Sequence, residues 1–127
     1  MATPIVLKTG VTGVVFNMKG IDNSVVVDIN ADGVQPAGNG TLAWSRVLEM
    51  NTSGFASAQN VSIDLSAMLA TYKSNGAKSV TLTVVASNYV GPGGINAAIN
   101  FPGGSQAIVQ SAIAPYTSTQ FAYTLML

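Results

Sequence analysis

The chain has 127 residues, of which 48% are hydrophobic and 8% are charged, against about 25% charged in ordinary soluble domains. Five Lys and Arg balance five Asp and Glu, and histidine and cysteine are absent. These absences exclude Ser-His-Asp and Cys-His nucleophilic sites, thiolate metal centres and disulfide frameworks. The five cations, Lys8, Lys19, Arg46, Lys73 and Lys78, are scattered, so a basic patch for nucleic acid is not expected.

The length is that of one domain. A chain with no net charge tends to associate, and a small core without disulfides often gains stability from partner subunits. A homo-oligomer is therefore expected. Nothing approaches 18 consecutive apolar residues, so no membrane span is expected. Met1 to Val11 lacks the basic and apolar regions of a secretory leader, which implies synthesis and folding in the cytosol.

Strand periodicity dominates from the start. Residues Thr3–Lys8 and Val14–Met18 read as short strands separated by the turn Thr9–Gly13, and Lys19–Asn23 closes the second. Ser24–Asn30 sets Val25, Val27 and Ile29 on one face, and Ala31–Gly40 is a Gly-rich loop. Thr41–Met50 places Leu42, Trp44, Arg46, Leu48 and Met50 together if it is one strand. Trp44 is then a core residue. A polar loop over Asn51–Asn60 leads to the strand Val61–Leu65.

The one helical segment is Ser66–Lys73, with Asp64 or Ser66 as its cap, Lys73 in its last turn and Gly76 as its stop. Lys78–Ser87 alternates most clearly of all. The loop Tyr89–Gly94, a short strand Ala97–Phe101, the turn at Pro102–Gly104 and the strands Gln106–Ile113 and Thr119–Leu127 complete the chain. Eight or nine strands at such spacing define an all-β antiparallel sandwich with one short helix, and eight is the jelly-roll number.

Few constellations carry chemistry. Asp28, Asn30 and Asp32, followed by Gly33, match the opening of a calcium loop, in which oxygen ligands alternate before a glycine. The ninth position is Pro36 and the twelfth is Asn39, where a bidentate Glu is required, so the segment also fits an Asx-rich turn. Asp22, Asp28, Asp32, Glu49 and Asp64 supply formal acid pairs but no pattern for glycoside hydrolysis. No cofactor motif is present, since the clusters at Gly91–Gly94 and Gly103–Gly104 match neither phosphate-binding nor dinucleotide fingerprints.

Tyr89 and Tyr116, both in loops, are candidates for partner or sugar contact, because a tyrosine offers area and a hydroxyl at low entropic cost. The apolar end, with Phe121, Tyr123, Leu125 and Leu127, is a further candidate. Such a strand must pair within its sheet or against a neighbouring chain, and scarce charge removes the usual protection of strand edges.

In layout, the strand series Ser24–Asn30, Val61–Leu65, Lys78–Ser87 and Thr119–Leu127 on a Gly-, Asn-, Ser- and Thr-rich chain resembles small virion proteins of tailed bacteriophages. The nearest type is the cement or decoration protein that clamps a capsid shell, several of which are jelly rolls. The resemblance implies a structural protein of the virion, made in the host cytoplasm, that binds capsid or another virion protein without catalysis. The alternative expectation is a carbohydrate- or receptor-binding module of a fibre or adhesin, acting through Tyr89 and Tyr116.

Overall fold

The computed structural model describes residues 4–21, 24–32, 44–51, 59–89, 93–103 and 106–127, with backbone alone for Asp32, Trp44 and Ser45. Among these residues the chain forms β1 (Ile5–Lys8), β2 (Val15–Ile21), β3 (Ser24–Asp32), β4 (Trp44–Asn51) and β5 (Gln59–Asp64). Helix α1 (Ser66–Ser74) follows, then β6 (Ser79–Asn88), β7 (Gly93–Asn100), β8 (Gln106–Ile113) and β9 (Thr117–Met126).

Two sheets pack face to face. One has the order β1-β9-β6-β3-β4 and the other β5-β2-β7-β8. All pairs are antiparallel except β1 with β9. This is the expected all-β sandwich with one short helix; the strand order does not establish the jelly-roll form.

The core follows from alternation. Val25, Val27 and Ile29 of β3, Val80, Leu82 and Val84 of β6, and Phe16 and Met18 of β2 are all fully buried. Each lies two residues from the next on its strand, and period-2 spacing sends such residues to one face. Tyr123 stands at the centre, with its ring edge-on to Phe16 and Phe121 at centroid distances of 5.9 and 6.0 Å. Its hydroxyl donates to the Ala97 carbonyl across the sandwich (3.3 Å). A second tie between the sheets comes from buried Asn88, whose Nδ2 donates to the Ile113 carbonyl (2.8 Å).

Helix α1 carries the chain from one sheet to the other and adds Leu69 and Tyr72 to the core. Leu65 occupies its N-cap position with no side-chain cap, so neither Asp64 nor Ser66 caps the helix as expected: the Asp64 carboxylate accepts the Ser66 amide (2.9 Å), and the Ser66 hydroxyl accepts the Val14 amide (3.1 Å). Hydrogen bonds from the Ser66 amide and then the Ser66 hydroxyl hold the Asp64 carboxyl below its ordinary range. At the far end the Lys73 ammonium donates to the Leu127 carbonyl (3.3 Å).

Several boundaries differ from the sequence expectations, each for a local reason. Strand β2 runs on to Ile21 because Gly20, at φ +70°, absorbs a bulge in its pairing with β5. Strand β3 reaches Asp32, two residues beyond its expected end. In β4 the pairing slips between Val27 and Asp28, so Leu48 lies opposite Val27 while Arg46 lies opposite Asp28. The bulge turns Arg46 away from the face of Leu48 and Met50. The side chain of Trp44 lies outside the described residues, as does Leu42.

Strand β7 begins at Gly93, inside what reads as a loop. Glycine is required there because a Cβ on Gly93 would come within 2.7 Å of the Asn88 Cγ, and one on Gly94 within 2.9 Å of the Ser111 carbonyl.

Candidate functional site

The apolar C-terminal strand is not a partner surface. Strand β9 is paired on both sides, by β1 and β6. Phe121 is 7% exposed and Tyr123 and Leu125 are fully buried, while Leu127 packs half-buried against the same core. The alternation that made these residues look adhesive serves the chain's own core instead. Burial pushes the Tyr123 phenol up to about 12.

The calcium reading also fails on geometry. Asp28, Asn30 and Asp32 occupy alternate positions of an extended strand, opposite Thr83, Thr81 and Ser79 of β6. Alternate strand residues are separated by about 7 Å along the strand, so they do not curl around one ion. The Asp28 carboxylate is instead held by Arg46, which also donates to Glu49 (3.1 Å). Arg46 is shifted upward in pKa, chiefly by its hydrogen bond to Asp28. Gly33 lies outside the described residues. Among the described residues, no three His, Cys, Asp or Glu side chains cluster as a metal site, and no helix is long and apolar enough to cross a membrane.

Tyr89 and Tyr116, by contrast, come together. They face one cleft of about 400 Å³ at the end of the five-stranded sheet, floored by Ser87, Asn88, Thr117 and Ser118. Tyr116 is 82% exposed and Tyr89 46%. The Tyr89 hydroxyl lies 3.4 Å from the Ser24 hydroxyl.

The backbone at Tyr116 is unusual. Residues Ala114-Pro115-Tyr116-Thr117 form a tight turn, in which the Ala114 carbonyl accepts the Thr117 amide (3.2 Å) and hydroxyl (2.7 Å). Proline in second place with positive φ in third is the type II pattern, where glycine is favoured. Here a tyrosine holds φ +61°, alone among the described non-glycine residues. Strain of this kind concentrates at functional positions.

The four outermost strands of the two sheets are guarded unequally. Strand β1 has four residues and ends on Lys8; β4 carries Arg46, Glu49 and a bulge; β5 ends on Asp64. Strand β8 has eight residues, Gln106–Ile113, with no charge and no proline, and its Ile108 is 56% exposed. Among the described residues no strand pairs with its outer edge. Charges, prolines, bulges and short length are the devices that protect an edge from strand addition, and β8 has none of them. The sequence held this signal, an eight-residue β-run without a charged side chain, but only the sheet order identifies it as an edge.

No protein-family model, curated protein or solved structure matches this chain.

Proposed function

We propose that the protein is a non-catalytic structural subunit of a virion, of the capsid cement or decoration type, which reinforces a shell by protein–protein contact. The observation that carries this reading is the long, uncharged edge of β8. An open edge offers a row of backbone N–H and C=O groups that a strand of the shell protein or of a second copy completes. The chain's zero formal charge favours the same outcome.

The carboxylates whose side chains are described are already engaged, Asp28 and Glu49 by Arg46 and Asp64 by the Ser66 amide. They support the non-catalytic reading. The tyrosine cleft lends itself to a second contact with the same partner, since exposed aromatic residues anchor protein interfaces.

Light scattering on the purified chain, followed by co-sedimentation with shells of the capsid protein encoded in the same genome, tests this reading. Ser111→Lys and Ala112→Lys place a cation on either side of the β8 edge. The reading predicts stoichiometric binding to shells and a loss of about tenfold or more in each variant, equivalent to ~1.4 kcal/mol. A stable monomer that ignores the shells overturns it.

A further inference from the structure

Strands β2, β7 and β8 build a second surface, on the face of the four-stranded sheet that points away from the core. The residues there stand in cross-strand register. Asn100 is opposite both Val15 and Gln106, Ala98 is opposite Asn17 and Ile108, and Asn96 is opposite Lys19 and Gln110. The small Ala98 leaves a depression, and the longer side chains around it form a groove of about 440 Å³, within the range of small-ligand sites.

The groove is an amide surface. Two carboxamide pairs, Asn100 with Gln106 and Asn96 with Gln110, lie four residues apart along β7, or about 13 Å. Asn17 stands between them on β2, and Ile108 stands between them on β8. Among the described residues, none of the five carboxamides makes a side-chain hydrogen bond to the protein. Their donors and acceptors therefore meet solvent or a ligand.

The chemistry selects the occupant. A carboxamide presents one acceptor oxygen and a donor NH₂, which complements a hydroxyl, itself both donor and acceptor. Among the described residues, Lys19 is the only charged side chain lining the groove, which is too little to hold a polyanion. Among the described residues, apolar lining is confined to Ile108, Ala97 and Ala98, which is too little to anchor a peptide through buried side chains. Ile108 does suffice as a platform for the C–H face of a pyranose ring.

We infer that this groove binds a neutral oligosaccharide, with the two amide pairs contacting hydroxyls of successive sugars and Ile108 supporting the ring between them. The site is separate from the tyrosine cleft, where the sequence places sugar contact. It does not depend on the β8 edge taking a partner strand.

The test is a titration of the labelled protein with cello-, malto-, manno- and chitotetraose, read by NMR at the side-chain NH₂ resonances. Sulfated cellotetraose and a neutral extended peptide serve as comparison ligands. At least one neutral sugar shifts the signals of Asn96, Asn100, Gln106 and Gln110, with a dissociation constant of about 0.1–1 mM, as expected for exposed, individually weak hydrogen bonds. The pair variants Asn96→Ala/Gln110→Ala and Asn100→Ala/Gln106→Ala each weaken binding by roughly fivefold or more, with the melting temperature unchanged. Tyr116→Ala leaves the affinity as it was. The inference is overturned if no neutral sugar shifts these signals at about 10 mM, if the shifts centre on Tyr89 and Tyr116, or if the sulfated sugar or the peptide binds more tightly than every neutral sugar.

Discussion

Tyr116 provides a test in which the sign of an effect matters more than its size. At most positions glycine is less stable than alanine by roughly 0.5–1 kcal/mol, because its unfolded chain has more freedom to lose. At φ +61° the order inverts. A side chain with a Cβ costs about 1–2 kcal/mol in the left-handed region, which outweighs the entropic cost of glycine. Tyr116→Gly is therefore expected to exceed Tyr116→Ala in stability by roughly 0.5–1 kcal/mol, or about 2–5 °C in melting temperature for a domain of this size.

The comparison is clean because both variants lose the same ring, which is 82% exposed and packs little. Thermal and urea unfolding of the two variants side by side provide the measurement. If alanine equals or exceeds glycine, Tyr116 does not hold the strained turn and the argument from strain to function fails. If the ring contacts a partner, both variants lose shell binding equally although their stabilities diverge.

Three further outcomes follow from the packing. Gly93→Ala drives a Cβ to 2.7 Å from the Asn88 Cγ, and Asn88 is held by its bond to Ile113, so urea unfolding should show a loss of roughly 1–3 kcal/mol. Leu69→Ala removes a fully buried side chain of α1 and should cost about 2–5 kcal/mol by the same assay. Tyr123→Phe removes the hydroxyl bonded to Ala97 and should cost about 1 kcal/mol at neutral pH.

The pH dependence of that last variant carries a sign of its own. The Tyr123 phenol is raised to about 12 in the folded chain, above the ~10 of an unfolded tyrosine. Folding thus favours its neutral form, and that contribution is complete below about pH 10 and lost as the pH climbs towards 12. Phenylalanine does not ionise, so the alkaline fall in melting temperature should be shallower in Tyr123→Phe. Equal alkaline profiles would show that Tyr123 does not cause the fall.

The sandwich was legible because its evidence is periodic. Val25, Val27 and Ile29, or Val80, Leu82 and Val84, announce a buried face without any knowledge of which strand lies beside them. The helix was legible from local signals around Asp64, Ser66 and Lys73, but the bonds that Ser66 and Lys73 make, to Val14 and Leu127, join residues distant in sequence. What sequence alone did not yield depends on neighbours. Phe121, Tyr123 and Leu125 read equally well as core or as an adhesive end until β1 and β6 are seen on either side of β9. Gly93 and Gly94 read as loop residues until Asn88 and Ser111 approach them. Arg46 reads as an inward residue until the bulge in β4 turns it towards Asp28.

The candidate surfaces divide in the same way. Tyr89 and Tyr116 stood out as loop aromatics, though 27 positions apart in sequence, and their convergence on one cleft is a result of the β6–β9 pairing. The β8 edge and the amide groove required the sheet order. An asparagine or glutamine on a strand means little until its register partners are also carboxamides.

Whether β8 takes a partner strand is tested most directly by amide hydrogen exchange. Exchange is followed in the peptide spanning Gln106–Ile113, in the isolated chain and in the chain bound to shells. Strand addition predicts slow exchange of the outward β8 amides only in the bound state, with the other edge strands, β1, β4 and β5, unchanged. Binding that leaves β8 exchange as fast as in the isolated chain, with protection arising elsewhere, would contradict the account.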